Sequence, residues 1–170
     1  MNRPEKSEYG EYYDRYISLV ANEQIVDLLM QQPAKLRDLF APVNEDRGRF
    51  AYSEGKWTLK EVLSHLIDGE RIFAYRILRI SRGDETPIEG FEQDGYIENS
   101  NANNRTFVQL LDEFDLQRQS NMLLINNLSE EATKRLGTAS GFPVSVRALV
   151  YISAGHVEHH AAILKERYAI

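Results

Sequence analysis

The 170-residue sequence contains no cysteine. Disulfides, zinc–thiolate clusters and a cysteine nucleophile are therefore excluded, and any thiol chemistry needs a thiol from outside. A metal site would have to use His, Asp, Glu or carbonyl oxygen. Basic residues are outnumbered, 20 against 26 acidic, giving a formal charge of −6 with no basic run. That balance argues against a nucleic-acid binder, which normally carries a basic stripe. Long hydrophobic runs are missing as well. Stretches such as Ala148–Ile152 are too short to span a bilayer. The start, Met1-Asn2-Arg3-Pro4-Glu5-Lys6, lacks the apolar segment of a signal peptide, so the expected location is the cytoplasm.

What remains is the composition of a soluble globular protein, 42% apolar and 27% charged. The length suits one domain, 1–170, with enough chain to bury a full core. Residues 1–21 read as an aromatic-rich arm (Tyr9, Tyr12, Tyr13, Tyr16) strapped over a helical body, 22–168.

Four amphipathic helices are predicted in that body. The first starts at Asn22, a good N-cap followed by Glu23, and places Ile25, Leu28, Leu29, Gln32, Leu36, Leu39 and Phe40 on one face. Pro33 inside it predicts a kink or a split. The second runs from Thr58 to about Ser81. Thr58 and Glu61 have capping-box spacing, Trp57 and Val62 form a staple, and Gly83 suits the stop. Residues 84–105 read as a long irregular loop. Thr106 and Gln109 then cap a third helix, to about Leu128, whose apolar stripe is interrupted by Arg118 and Asn121. Residues 137–143 read as a loop, after which Ser145 caps a last helix to about Tyr168. Four long helices without an alternating strand pattern predict an all-α four-helix bundle.

All four histidines fall on two of these helices. His65 is on the second. His156, His159 and His160 are on the last. Residues four apart differ by only about 40° around a helix, so His156 and His160 project together, as two imidazoles sharing one divalent ion must. His159 lies about 100° from His160, so all three cannot ligate comfortably from one helix. The face of His156 and His160 continues with Leu149, Ile152 and Ile163, so both rings point inward, where an unsatisfied polar group costs about 1–3 kcal/mol. His65 is the natural third partner, with Gly69 one turn on leaving room. Three neutral imidazoles leave a coordination position open, which is a catalytic arrangement. The competing reading is hydrogen-bonded core histidines. Glu70 sits in the second helix's stripe, either to orient a ligand and move protons or to pair with a buried arginine. Arg118 and Asn121 either bind an anionic substrate group or satisfy an acid, and Arg71 and Arg76 carry the same alternatives. The small residues Ala148, Gly155 and Ala162 mark a close helix approach, within the bundle or at a dimer interface. Glu158 points away from the histidine face and reads as exposed.

The segment Lys56-Trp57-Thr58-Leu59-Lys60-Glu61-Val62-Leu63-Ser64-His65-Leu66 resembles the second-helix signature of the DinB/YfiT-like family. Asp68-Gly69-Glu70-Arg71 through Tyr75-Arg76, Gly83-Asp84 with Pro87 and Gly90-Phe91, the Phe114/Arg118 pair, Pro143 to Leu149 and the closing Gly-His-x-x-His-His continue the likeness over essentially the whole chain. The resemblance implies a bundle in an up-up-down-down-like arrangement and a tendency to form a homodimer. It also implies a divalent metal, nickel or zinc, held by His65, His156 and His160. Relatives include thiol S-transferases that use a low-molecular-weight thiol such as bacillithiol, mycothiol or glutathione, and others labelled hydrolases. The expected function is a metal-dependent thiol S-transferase acting on a small molecule, with Glu70 and Arg118 as catalytic candidates. The alternatives are a metal-dependent hydrolase of a small amide or ester, and a non-catalytic metal-binding or stress-response protein.

Overall fold

In the computed structural model, whose described residues are 1–21 and 24–170, three of the four long helices start where side chains satisfy the first free backbone N–H groups. Thr58 Oγ1 accepts from Glu61 N at 3.2 Å while the Glu61 carboxylate accepts from Thr58 N at 2.7 Å, which opens α3 (Leu59–Ser81). Thr106 and Gln109 repeat this reciprocal cap at α5 (Phe107–Asn126). Ser145 accepts from Ala148 N at the start of α7 (Val146–Arg167). Gly83, at φ 82°, follows the end of α3, in the left-handed region that glycine reaches without strain.

The arm contains two 3-10 turns, Lys6–Glu8 and Glu11–Tyr13, and then a short α-helix, α1 (Asp14–Ile17), that buries Tyr16 and Ile17. The helix α2 (Ile25–Phe40) follows. The expected cap at Asn22-Glu23 lies outside the described residues. Pro33 does not split α2; it is buried within one continuous helix. The predicted loop after α3 is also more ordered than expected. It contains α4 (Gln93–Glu98), and Ile88 is hydrogen-bonded to both Thr138 and Ser140.

A short α6 (Glu130–Lys134) leads into a feature the sequence reading missed. Residues 137–143 are not a simple loop. They belong to a two-stranded antiparallel hairpin, β1 (Leu136–Ala139) with β2 (Phe142–Ser145), in register Ala139↔Phe142 and Leu136↔Ser145. Ser140 and Gly141 both have positive φ, 54° and 81°, as a two-residue hairpin turn demands.

Two apolar clusters fill the bundle. One joins the start of α2 (Ile25, Leu29) to the ends of α3 and α5 (Ile77, Ile125) and the start of α7 (Leu149). The other joins Phe40 of α2, Leu63 and Phe107 at the starts of α3 and α5, and Leu164 near the end of α7. The four long helices therefore run up, down, down and up, not in the up-up-down-down order that the resemblance implied. The reason lies in the connections. Residues 84–105 carry the chain back along the bundle, so α5 runs parallel to α3 and needs a long crossover. Among the described residues no helix is long and apolar enough to cross a membrane.

Candidate metal centre

Three imidazoles meet between α3 and α7. His65 and His156 are buried, 4% and 5% exposed, and their Nε2 atoms are 2.9 Å apart. His160 joins them with its ring centroid 4.8 Å from that of His65 and 4.7 Å from that of His156. One ligand nitrogen from each ring falls within 4.8 Å of the others. Nitrogens around a tetrahedral ion at 2.0–2.1 Å stand about 3.3 Å apart, so the three rings need only small adjustments to hold one. Burial is the main force on all three, and it disfavours the imidazolium. His65 is pushed down to about 4, with His156 and His160 well below the ordinary value. All three are neutral at pH 7, the state that ligates.

Packing fixes the rings. Gly69 faces His156: a Cβ there would lie 2.9 Å from His156 Cε1. The space left by Gly69 is thus filled by His156. Trp57 lies over His65 with centroids 4.6 Å apart. Phe73 and Tyr16 stand edge-on to His156 at 5.5 and 5.4 Å. His159 is half-buried, packs on Tyr16 at 5.3 Å and is outside the triad. Periodicity did not mark Trp57 or Tyr16 as site residues, because they precede α3 and belong to the arm.

Glu70 and Arg118 are brought together with each other. The guanidinium donates to both carboxylate oxygens, at 2.8 and 2.7 Å, with both side chains 2% exposed. Asn121 donates to one of those oxygens at 2.9 Å, and Ser153, one turn before His156, donates to the other at 2.7 Å. The Arg118 Nη1 also reaches Gln32, whose amide donates to Ala154 O at 2.8 Å and to Glu158 at 2.9 Å. Glu158 is accordingly half-buried and bonded, where exposure was expected. The network ties α2, α3 and α5 to the stretch of α7 that carries the histidines. Gln32 and Ser153 were not anticipated in it, although Gln32 on an apolar face was the visible signal.

A cavity of 390 Å³ opens onto His65 and His156, walled by Tyr12, Tyr16, Phe73 and Arg76. The close approach marked by Gly155 is to the arm: a Cβ there would lie 2.1 Å from the Tyr16 carbonyl oxygen.

The fold and site define a helical bundle with antiparallel and parallel neighbours and a buried cluster of three histidines, of a kind that could hold a metal ion, beside a small cavity. The chain belongs to the DinB superfamily, whose sequence profile matches residues 28–164. Among solved structures it is similar to YfiT from Bacillus subtilis, described as a probable metal-dependent hydrolase with an unusual four-helix bundle topology. The TM-score is 0.77 at 20% identity, over 98% of this chain and 91% of that one. It is also similar to a mycothiol-dependent maleylpyruvate isomerase, with TM-score 0.69 at 16% identity, over 86% of this chain and 61% of the isomerase. No curated protein matches the chain in sequence.

Proposed function

We propose that this chain is a divalent-metal-dependent enzyme that joins a low-molecular-weight thiol to a small electrophile. The observation that carries the reading is the cluster of three buried, neutral imidazoles opening onto a cavity of small-molecule size. His65, His156 and His160 would hold the ion, nickel or zinc. When bound, such an ion supplies Lewis acidity, lowering the pKa of a coordinated thiol or water. The chain's own residues do the rest. Trp57, Tyr16 and Phe73 exclude water and hold the rings. The Glu70–Arg118 network positions α7. Because both oxygens of Glu70 already accept two hydrogen bonds each, we assign Glu70 and Arg118 a positioning role in place of proton transfer. The absence of cysteine fits a thiol that arrives as cosubstrate. The thiol dependence named for the isomerase supports this choice.

The description of YfiT favours a second reading, hydrolysis of a small amide or ester at the same centre. The proposed homodimer is supported by Val108, Leu116 and Leu123, exposed along one side of α5.

The deciding experiment is metal analysis of untagged protein purified without chelator, wild type against His156→Ala. One equivalent in the wild type and none in the variant is expected. No metal in wild type, with none taken up on adding nickel or zinc, overturns both enzyme readings. Metal-dependent loss of thiol with monochlorobimane then favours transfer, and thiol-independent turnover of model esters favours hydrolysis.

A further inference from the structure

Arg76 is 2% exposed, yet among the described residues no carboxylate pairs with it. Its Nη2 donates to two neutral oxygens, the Glu89 carbonyl at 3.2 Å and Ser140 Oγ at 3.0 Å. Its Nε is buried without any acceptor. A guanidinium cannot escape this by losing its proton, because arginine stays charged in proteins. A buried charge normally carries a partner, and a buried unsatisfied donor calls for an explanation. Arg118, equally buried, shows the ordinary solution with Glu70. Arg76 shows the exception.

Its location supplies the explanation. Arg76 stands eleven residues beyond His65 on α3, close to three full turns, so both are on the same face of the helix. Helical side chains lean toward the N-terminus, which directs Arg76 back toward His65. Both line the 390 Å³ cavity, together with His156 and Ser140. At about 30 Å³ per water, that space takes roughly a dozen water volumes, a small organic molecule. Glu92, also on the wall, accepts from Asp94 N at 3.1 Å and makes no ion pair with Arg76. A larger groove elsewhere, 660 Å³, offers no comparable group: its Arg71 and Arg105 both pair with Glu113.

We propose that Arg76 is the specificity residue for a carboxylate on the substrate, so that the cavity takes a small organic acid with its anionic end on Arg76 and its reactive part toward the three histidines. The hairpin turn helps. Ser140, held at positive φ, accepts from Arg76 and keeps its own hydroxyl proton for the incoming carboxylate. A planar carboxylate matches the guanidinium fork. This deepens the proposed function in taking the cavity as the substrate site, but the binding of the acid does not depend on which reaction follows.

The test compares benzoate with its neutral isostere benzamide, by calorimetry and by shift in melting temperature, on the protein as purified and after chelation. Wild type should bind benzoate at least tenfold more tightly than benzamide in both states and gain thermal stability from benzoate alone. Arg76→Gln should abolish the preference while keeping the helical spectrum and its metal content. A preference that survives in Arg76→Gln, or no preference in wild type for benzoate, maleate or phenylacetate over neutral isosteres, overturns the assignment. If the variant fails to fold, the wild-type melting shifts alone decide. Metal bound without acid preference sinks this inference and spares the metal enzyme. Acid preference without metal does the reverse.

Discussion

Arg118 donates through Nη1 to the carbonyl oxygen of Leu29 at 2.9 Å. Leu29 is four residues before Pro33, so its carbonyl is the one that Pro33, lacking an N–H, cannot serve. A buried arginine from α5 thus mends the gap that proline opens in α2, and the same guanidinium neutralises Glu70. Arg118→Met should destabilise the protein by about 3–5 kcal/mol, because it strands the buried Glu70 carboxylate. In a Pro33→Ala background, where the restored N–H can serve Leu29, the loss should shrink by about 1 kcal/mol. Denaturant melts of the four proteins in a double-mutant cycle measure both terms. Additive effects would show that proline and arginine are uncoupled.

This pair also marks how much the sequence could convey. Helical periodicity placed α3, α5 and α7 correctly, because capping pairs such as Thr58/Glu61 act within four residues and leave a local trace. The interruption of the α5 stripe by Arg118 was visible too, but not its partners, since Leu29 and Glu70 are brought to it only by helix packing. The three histidines were legible as a group because two of them share a helix face. The hairpin was hidden because its strands are four residues each and one contains Pro143. The helix directions were hidden because nothing local in residues 84–105 records which end of the bundle the chain returns to.

Gly69 lies directly against the His156 ring of the triad. Gly69→Ala would set a methyl group 2.9 Å from His156 Cε1 and 3.1 Å from Nδ1, so the ring must turn away. Alanine favours the helix by about 1 kcal/mol over glycine, so the fold should survive. Metal affinity should fall about tenfold or more, as when other supports of a ligand are disturbed. Titration with nickel or zinc checks the first effect and a thermal melt the second. Unchanged affinity would mean that His156 is not a ligand.

Gly155 decides whether the arm can lie against α7. Here the obstruction is backbone: a Cβ would come within 2.1 Å of Tyr16 O and 2.5 Å of its carbonyl carbon. Backbone cannot rotate aside as a side chain can. Gly155→Ala should push α1 off the bundle, weaken the Tyr16 contacts with His156 and His159, and cost about 1–3 kcal/mol. Hydrogen exchange at residues 14–20 should quicken while the core of α3 stays protected. If exchange in the arm is unaltered, the close contact between Gly155 and Tyr16 is not maintained in solution.

The arm is also held by charge. Burial raises the pKa of Glu8, but hydrogen bonds from Arg147 and Ser145 and the Arg147 charge outweigh it, leaving Glu8 at about 2. A carboxylate depressed in the folded state stabilises fully above its unfolded value near 4.5 and loses that contribution as pH falls through about 2. Melting temperature should therefore drop between those limits, and Glu8→Gln should flatten that part of the profile while lowering stability at pH 7. Profiles that stay parallel between pH 5 and 2 would show that the pair contributes nothing.

Trp57 gives the triad a built-in reporter. It is the only tryptophan in the chain, and its ring lies 4.6 Å from that of His65 at a tilt of 47°. Its backbone carbonyl accepts from the Tyr168 hydroxyl at 2.5 Å, which ties the start of α3 to the end of α7 beside the indole. A paramagnetic ion held by His65 would sit beside the indole and quench it, whereas zinc, with a filled shell, would shift the emission with little quenching. Nickel titration of wild type should quench to a plateau at one equivalent, and zinc added first should block the effect. His160→Ala should weaken the response, and His65→Ala should abolish it although Trp57 is intact. Quenching that persists in His65→Ala, or that climbs without a plateau, would place the ion elsewhere on the surface. The experiment therefore locates the metal as well as detecting it, which an elemental assay alone does not do.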